Sequence, residues 1–256
     1  MIYNYHTHTH RCGHAVGCEE EYIIRAIQGG IQYMGFSDHI PLMCDDGFES
    51  GHRVPMAEAE DYVKTLIALR EKYSDKIDIK IGFEMEFYPD EFEKMLKSVE
   101  DLGAEYLILG QHWLENEHYG GQHVNHPTDS LEDLKKYVSL VVSAMKTGVI
   151  TYVAHPDMIR FTGDVMQYRK EMKEICVASK ELHIPLEINF LGISDGRNYP
   201  NPLFWKLAGE VQVPVTFGFD AHDPMRAFDE KSLKIAEKMV ETYGLNYIGR
   251  PEIVSI

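Results

Sequence analysis

The stretch Glu105-Tyr106-Leu107-Ile108-Leu109-Gly110-Gln111 runs directly into His112 and Trp113. Its centre is continuously apolar, whereas a strand with one wet face alternates apolar with polar residues, so this strand is covered on both sides. Strands of that kind belong to parallel sheets, whose crossovers are usually helices. Outward from it, further apolar, β-branched or aromatic runs occupy residues 2–6, 33–38, 78–84, 150–154, 185–190 and 213–219. Between the runs, helical periodicity covers about 19–30, 56–74, 90–102, 129–147, 166–183, 202–210 and 228–243. Seven alternating units imply parallel strands joined by right-handed crossovers, an α/β architecture.

Local chemistry supports these helices. Asp129 is placed to cap the helix whose apolar face is Leu131, Leu134, Val138, Val141, Val142 and Met145, with Glu132 as capping-box partner and Gly148 as the left-handed residue at its end. No Pro/Ser/Gly-rich linker, composition shift or internal repeat interrupts the series, so residues 1–256 read as one domain. Two stretches lack periodicity, residues 40–55 and 113–128, and long loops in a compact domain are more often functional than accidental.

Composition removes several classes of function. Lys and Arg number 25 against 41 Asp and Glu, a net charge of −16, with no basic stripe to neutralise a phosphate backbone. Nucleic acid and anionic membranes are therefore unsuitable partners. No apolar run reaches the ~20 residues of a membrane span, and the first residues, Met1-Ile2-Tyr3-Asn4-Tyr5-His6, lack a secretory pattern. Four scattered cysteines, none in a C-x-x-C pair, fit a reduced cytoplasmic protein. Histidine is the outlier: 13 residues, more than the 11 Phe. An excess of imidazole points to metal or acid/base chemistry.

The histidines fall at strand ends. After the first run comes His6-Thr7-His8-Thr9-His10-Arg11-Cys12-Gly13-His14, where i and i+2 share a face, so His6 and His8 can reach one ion. Later runs end in Ser37-Asp38-His39, Gly82-Phe83-Glu84-Met85-Glu86, Gln111-His112, Ala154-His155-Pro156-Asp157 and Phe219-Asp220-Ala221-His222. In a parallel barrel the carboxyl ends of the strands converge on one face, where active sites are built. The candidate metal ligands are thus His6, His8, His14, His39, Glu84, His112, His155, Asp220 and His222, too many for one ion and enough for two or three. His10, His52, His118, His123 and His126 lie in or beside loops and read as solvated or substrate-facing. His183 ends a helix and reads as structural, and Cys12 as a packed thiol.

Together these motifs resemble the PHP family, named for polymerase and histidinol phosphatase. The chain length and His14-Ala15 resemble its monofunctional histidinol-phosphate phosphatases. The resemblance implies a distorted (β/α)7 TIM-like barrel, a single PHP metallophosphoesterase domain over 1–256, with three divalent ions of zinc, iron or manganese. One ion would take His6, His8, Glu84 and Asp220; a second Glu84, His112 and His155; a third His14, His39 and His222. Catalytic roles would fall on Glu84, Asp220 and His222. The implied reaction is hydrolysis of L-histidinol phosphate, a small phosphate ester, to L-histidinol and phosphate by a metal-bridging hydroxide. Arg160 and Arg197 sit where such enzymes place phosphate-binding arginines, whose forked donors match two oxygens. Two features depart from the pattern: Glu86 in place of an aspartate, and the loop from Leu114 to Thr128. The alternatives are a PHP phosphoesterase acting on another small ester or a nucleotide, and a metal-binding or nuclease-accessory protein without turnover. The acidic charge opposes the nuclease version, and nine intact ligand types oppose the inactive one. Oligomeric state is left open by the sequence.

Overall fold

The computed structural model describes residues 1–42, 44 and 46–256. Its strands are β1 (Tyr3–Asn4), β2 (Tyr33–His39), β3 (Asp78–Met85), β4 (Tyr106–Leu109), β5 (Ile150–Val153), β6 (Leu186–Asn189), β7 (Pro214–Gly218) and β8 (Asn246–Tyr247). All pair in parallel, in sequence order from β1 to β8. The helices are α1 (Glu19–Gln28), α2 (Met56–Lys72), α3 (Phe92–Leu102), α4 (Leu131–Lys146), α5 (Val165–Leu182), α6 (Phe190–Asp195), α7 (Pro202–Val211) and α8 (Glu230–Tyr243).

β4 shows why this sequence curls. Every residue of it is buried, and alternate side chains go to different cores. Tyr106 and Ile108 join an inner cluster with Tyr3, Tyr5, Tyr152 and Ala154, while Leu107 and Leu109 enter the larger core under the helices. Cutting Leu109 back to alanine would cost about 2–5 kcal/mol, since no solvent can fill the gap.

The ends of the ring meet unevenly. Just past β1, His8 N donates to Ala221 O at 3.0 Å and Ala221 N donates to His6 O at 3.3 Å, a parallel bridge joining the carboxyl ends of β1 and β7. At the other end, Asn246 and Tyr247 of β8 pair with Pro214 and Val215. The barrel is therefore distorted, as the family resemblance implies, with a short eighth strand added. A strand of two exposed residues is too short for a periodic signal, which is why β8 is silent in the sequence.

Two boundaries shift for local reasons, and one loop is tied down. Ser130 rather than Asp129 caps α4, its hydroxyl accepting the Asp133 N–H at 3.2 Å, while Gly148 takes the expected left-handed conformation at φ +79°. The sixth run stops at Asn189, whose side chain accepts from Gly192 N at 2.9 Å and starts α6 within what reads as strand. Residues 113–128 are pinned: Val124 N donates to His112 O at 2.8 Å, and Arg160 exchanges backbone bonds with Val124 and Thr128. Among the described residues no helix is long and apolar enough to cross a membrane.

Candidate metal centre

The carboxyl ends of the strands surround a cavity of about 740 Å³. His14, His39, Glu84, His112, His155, Asp220 and His222 line it, and His6 and His8 lie fully buried beneath its floor. The bridge to Ala221 holds the first segment extended, so the His6 and His8 rings face the same space with their Nε2 atoms 3.2 Å apart. A 3₁₀ turn over His10–Cys12, ended by Gly13 at φ +81°, brings His14 back until its Nε2 is 3.0 Å from that of His222. His155 and Asp220 adopt φ of +30° and +51°, conformations that L side chains avoid and that persist where surrounding contacts enforce them. Gly110 and Gly218 make room for carboxylates: a Cβ at the first would land on Glu84 Oε1, and at the second on Glu187 Oε1.

Donor spacing tests whether a metal fits. Ligands about 2.0–2.1 Å from a tetrahedral zinc lie roughly 3.3–3.4 Å apart. Here His6 Nε2 stands 3.6 Å from Glu84 Oε2 and 3.5 Å from Asp220 Oδ1, and His8 Nε2 stands 3.5 and 3.2 Å from the same two atoms. Both oxygens are buried with no hydrogen-bond partner, an arrangement that is costly unless a cation completes it. Around this cage, His155 Nε2 is 2.9 Å from Glu84 Oε1, His112 Nε2 is 3.7 Å from it, and His39 Nδ1 is 3.1 Å from Glu84 Oε2. His39 falls within 4.8 Å of two sets, Glu84 with His112 and His14 with His222.

The electrostatics fit the same reading. Burial would raise the Glu84 and Asp220 carboxyls, but the imidazoles of His112, His6 and His39 hold the first, and those of His6, His222 and His8 the second, well below the carboxylate range. Burial opposes a charge on His6, yet Glu187, Asp220 and Glu84 push it up to about 10; His8, equally buried, is lifted by Asp220 and Asp38. At the other side of the cavity, burial with His222 and His8 pushes His14 down to about 4. Without cations, the carboxylates of the acidic end thus favour protonation of the rings whose Nε2 atoms face the cage. The donor set suits divalent ions.

The PHP domain pattern matches residues 4–190. This chain belongs to the PHP domain family. The match stops short of Asp220 and His222, which the structure returns to the site. Its relatives include "Probable histidinol-phosphatase" of Deinococcus radiodurans, 25% identical over 229 residues, which are 86% of this chain and 85% of that protein. "Probable phosphatase" of a Thermoanaerobacter species is 25% identical over 248 residues, 96% of this chain and 87% of the other. Among solved structures, histidinol phosphate phosphatase from Lactococcus lactis, complexed with zinc, L-histidinol and phosphate, is 18% identical. It superposes with a TM-score of 0.71 over 96% of this chain and 95% of that one, which establishes the shared fold.

In this PHP domain the ligand-type residues rest on a supporting layer of which the sequence motifs mark only Asp38. Glu187, fully buried on β6, has Oε1 2.8 Å from His6 Nδ1, and its Oε2 accepts from His155 N at 3.2 Å and Asn189 Nδ2 at 2.9 Å. Asn189 also donates to Asp220 Oδ2 at 3.0 Å. Asp38 lies 3.3 Å from His8 Nδ1 and is fixed by Thr9 N–H and hydroxyl. Carboxylates behind ligand imidazoles set the tautomer and orient the ring. The available signal was a charge inside an apolar strand, Leu186-Glu187-Ile188, which a strand buried on both faces does not tolerate without a partner.

The two arginines separate. Arg197 lines the cavity, donating to Tyr199 OH at 2.9 Å and Asp195 at 3.2 Å; Arg226 reaches the same Asp195 at 2.8 Å. Arg160 is exposed and is not among the cavity-lining residues. Its sequence distance from His155 did not encode direction. His52, His123 and His126 line the cavity, whereas His10, His118 and His183 do not.

Proposed function

We propose that this chain is a metal-dependent phosphomonoesterase that hydrolyses L-histidinol phosphate to L-histidinol and phosphate. The observation that carries the reading is the buried cage of His6, His8, Glu84 and Asp220, in which each imidazole Nε2 of the two histidines lies 3.2–3.6 Å from two unpartnered carboxylate oxygens. The zinc, L-histidinol and phosphate bound by the Lactococcus lactis protein support it, as does the name of the Deinococcus relative. Nine donors support a count of three ions, with zinc as the first choice and iron or manganese open to mixed imidazole/carboxylate ligands. When bound, such ions activate water at neutral pH and neutralise charge developing on phosphoryl oxygens.

The protein's part is to hold and aim. Glu84 presents its two oxygens to different neighbours, Oε2 to His6, His8 and His39 and Oε1 to His155 and His112, which supports a bridging role. Asp220 and His222, just past β7, meet the same rings and share in the catalytic set. Arg197 is the substrate-phosphate contact, with Arg226 beside it on Asp195. Residues 1–256 act as one domain, supported by the unbroken strand order. We place the enzyme in the cytoplasm, acting on a small ester with neither nucleic acid nor membrane as partner.

The deciding experiment is a substrate panel with zinc-, iron- and manganese-loaded protein. L-histidinol phosphate should exceed glycerol phosphate and nucleoside monophosphates in kcat/KM by at least tenfold. Equal rates would leave a general PHP phosphoesterase, and no turnover with any metal would leave the non-catalytic reading.

A further inference from the structure

We propose that Arg53 is a positioning residue for His112: it locks Glu86 against the Nδ1 edge of that ring and, through Glu117, makes the ring's hold on its ion depend on the 113–128 segment. The inference rests on the reading that His112 is a metal ligand. Its geometry is independent of what the substrate is.

Three separate segments meet at one guanidinium. Arg53 comes from the loop after β2, Glu86 from just past β3, and Glu117 from the 3₁₀ turn Glu117–Tyr119 that follows His112. The Arg53 side chain is 3% exposed; Nη2 donates to Glu86 Oε1 at 2.6 Å and to Glu117 Oε2 at 3.0 Å, and Nη1 donates to Ile40 O at 3.4 Å. Glu86 has no freedom left: Oε2 accepts from Tyr88 OH at 2.7 Å and Trp113 N at 3.2 Å, and Oε1 lies 3.3 Å from His112 Nδ1. With Nδ1–H donating to Glu86, the lone pair of His112 sits on Nε2, the edge that faces Glu84.

Charge makes the coupling obligatory. Two largely buried carboxylates at the cavity wall share one guanidinium, so Arg53 is what keeps them together, and withdrawing it leaves two like charges side by side. Glu117 is the member contributed by the 113–128 segment, which also lines the cavity. Arg53 thus ties Glu117 of the pinned 113–128 segment to Glu86, and through Glu86 to the His112 ring.

The test uses full-length, zinc-loaded protein. Zinc per chain and zinc release to a chelator are followed in the wild type and in Glu117→Gln, Arg53→Lys and Arg53→Gln, with circular dichroism and Tm alongside. Glu117→Gln should keep the wild-type Tm yet release one zinc per chain about tenfold faster, and Arg53→Gln should weaken that same ion by about 10–100-fold. Arg53→Lys, which keeps the charge but not the fork, should fall between. Release within twofold of wild type in the folded Glu117→Gln and Arg53→Lys proteins would overturn the proposal, even if Arg53→Gln unfolds. Wild-type protein that holds no divalent ion would instead overturn the metal reading beneath it.

Discussion

Replacing Asp157 by asparagine should remove a defined part of the pH dependence of stability. Asp157 is 1% exposed, and its Oδ2 accepts the Asn201 N–H at 2.5 Å, a bond that an asparagine oxygen can also make. Burial pushes the carboxyl from its ordinary 3.8 up to about 7. The folded chain therefore holds this proton more tightly than the unfolded one. Its contribution is fully present below the ordinary 3.8 and is lost as pH rises through about 7. A rise of that size, at roughly 1.36 kcal/mol per pH unit, comes to about 4 kcal/mol. Urea denaturation of metal-stripped protein at about pH 4.5 and about pH 8 measures it: the variant should come close to wild type at the lower pH and exceed it by roughly that amount at the higher. A variant-minus-wild-type difference that stays constant between the two would refute the reasoning, whatever its size.

Glu187→Gln keeps the shape of a side chain that supports His6, His155 and, through Asn189, Asp220; it should weaken zinc binding about 10–100-fold in chelator competition, and an unchanged affinity would sink the supporting role. Gly110→Ala places a methyl where Glu84 Oε1 lies, so the folded variant should lose bound zinc and activity together. Because the surrounding carboxylates raise the His6 and His8 imidazoles, zinc binding should compete with protons and release them, and affinity should fall as pH falls from about 8 to about 6. Calorimetry in buffers of different ionisation enthalpy counts those protons, and a count of zero contradicts the charge assignment.

Much of this was legible in residues whose meaning is local. The period of an extended chain puts His6 and His8 on one face before any fold is known, and an apolar run such as Tyr106-Leu107-Ile108-Leu109, flanked by helical periodicity, fits a doubly covered strand. What stayed hidden depends on neighbours far away in the chain. Glu187 matters because Gly218 leaves it room and His6 sits opposite, facts that no window around Leu186 contains. Arg53 is one loop residue among many until Glu86 and Glu117 close around it. Arg160 fails in the opposite way: close to His155 in sequence, it turns outward with the backbone that pins the 113–128 loop.

The bridge between the segment after β1 and Ala221 also sets a timetable. Ala221 follows His6 by 215 residues, a span that takes roughly 10–40 s to synthesise at about 5–20 residues per second. Until the interval ends, the first strand can pair with β2 on one side only, once β2 is made, and its other edge is open to strands from other chains. His6 and His8 are present from the start but lack Asp220, so a cation arriving early meets an incomplete cage. Chelation and ring closure are in this sense one late event: the closing stretch of the chain decides when the opening one becomes a site.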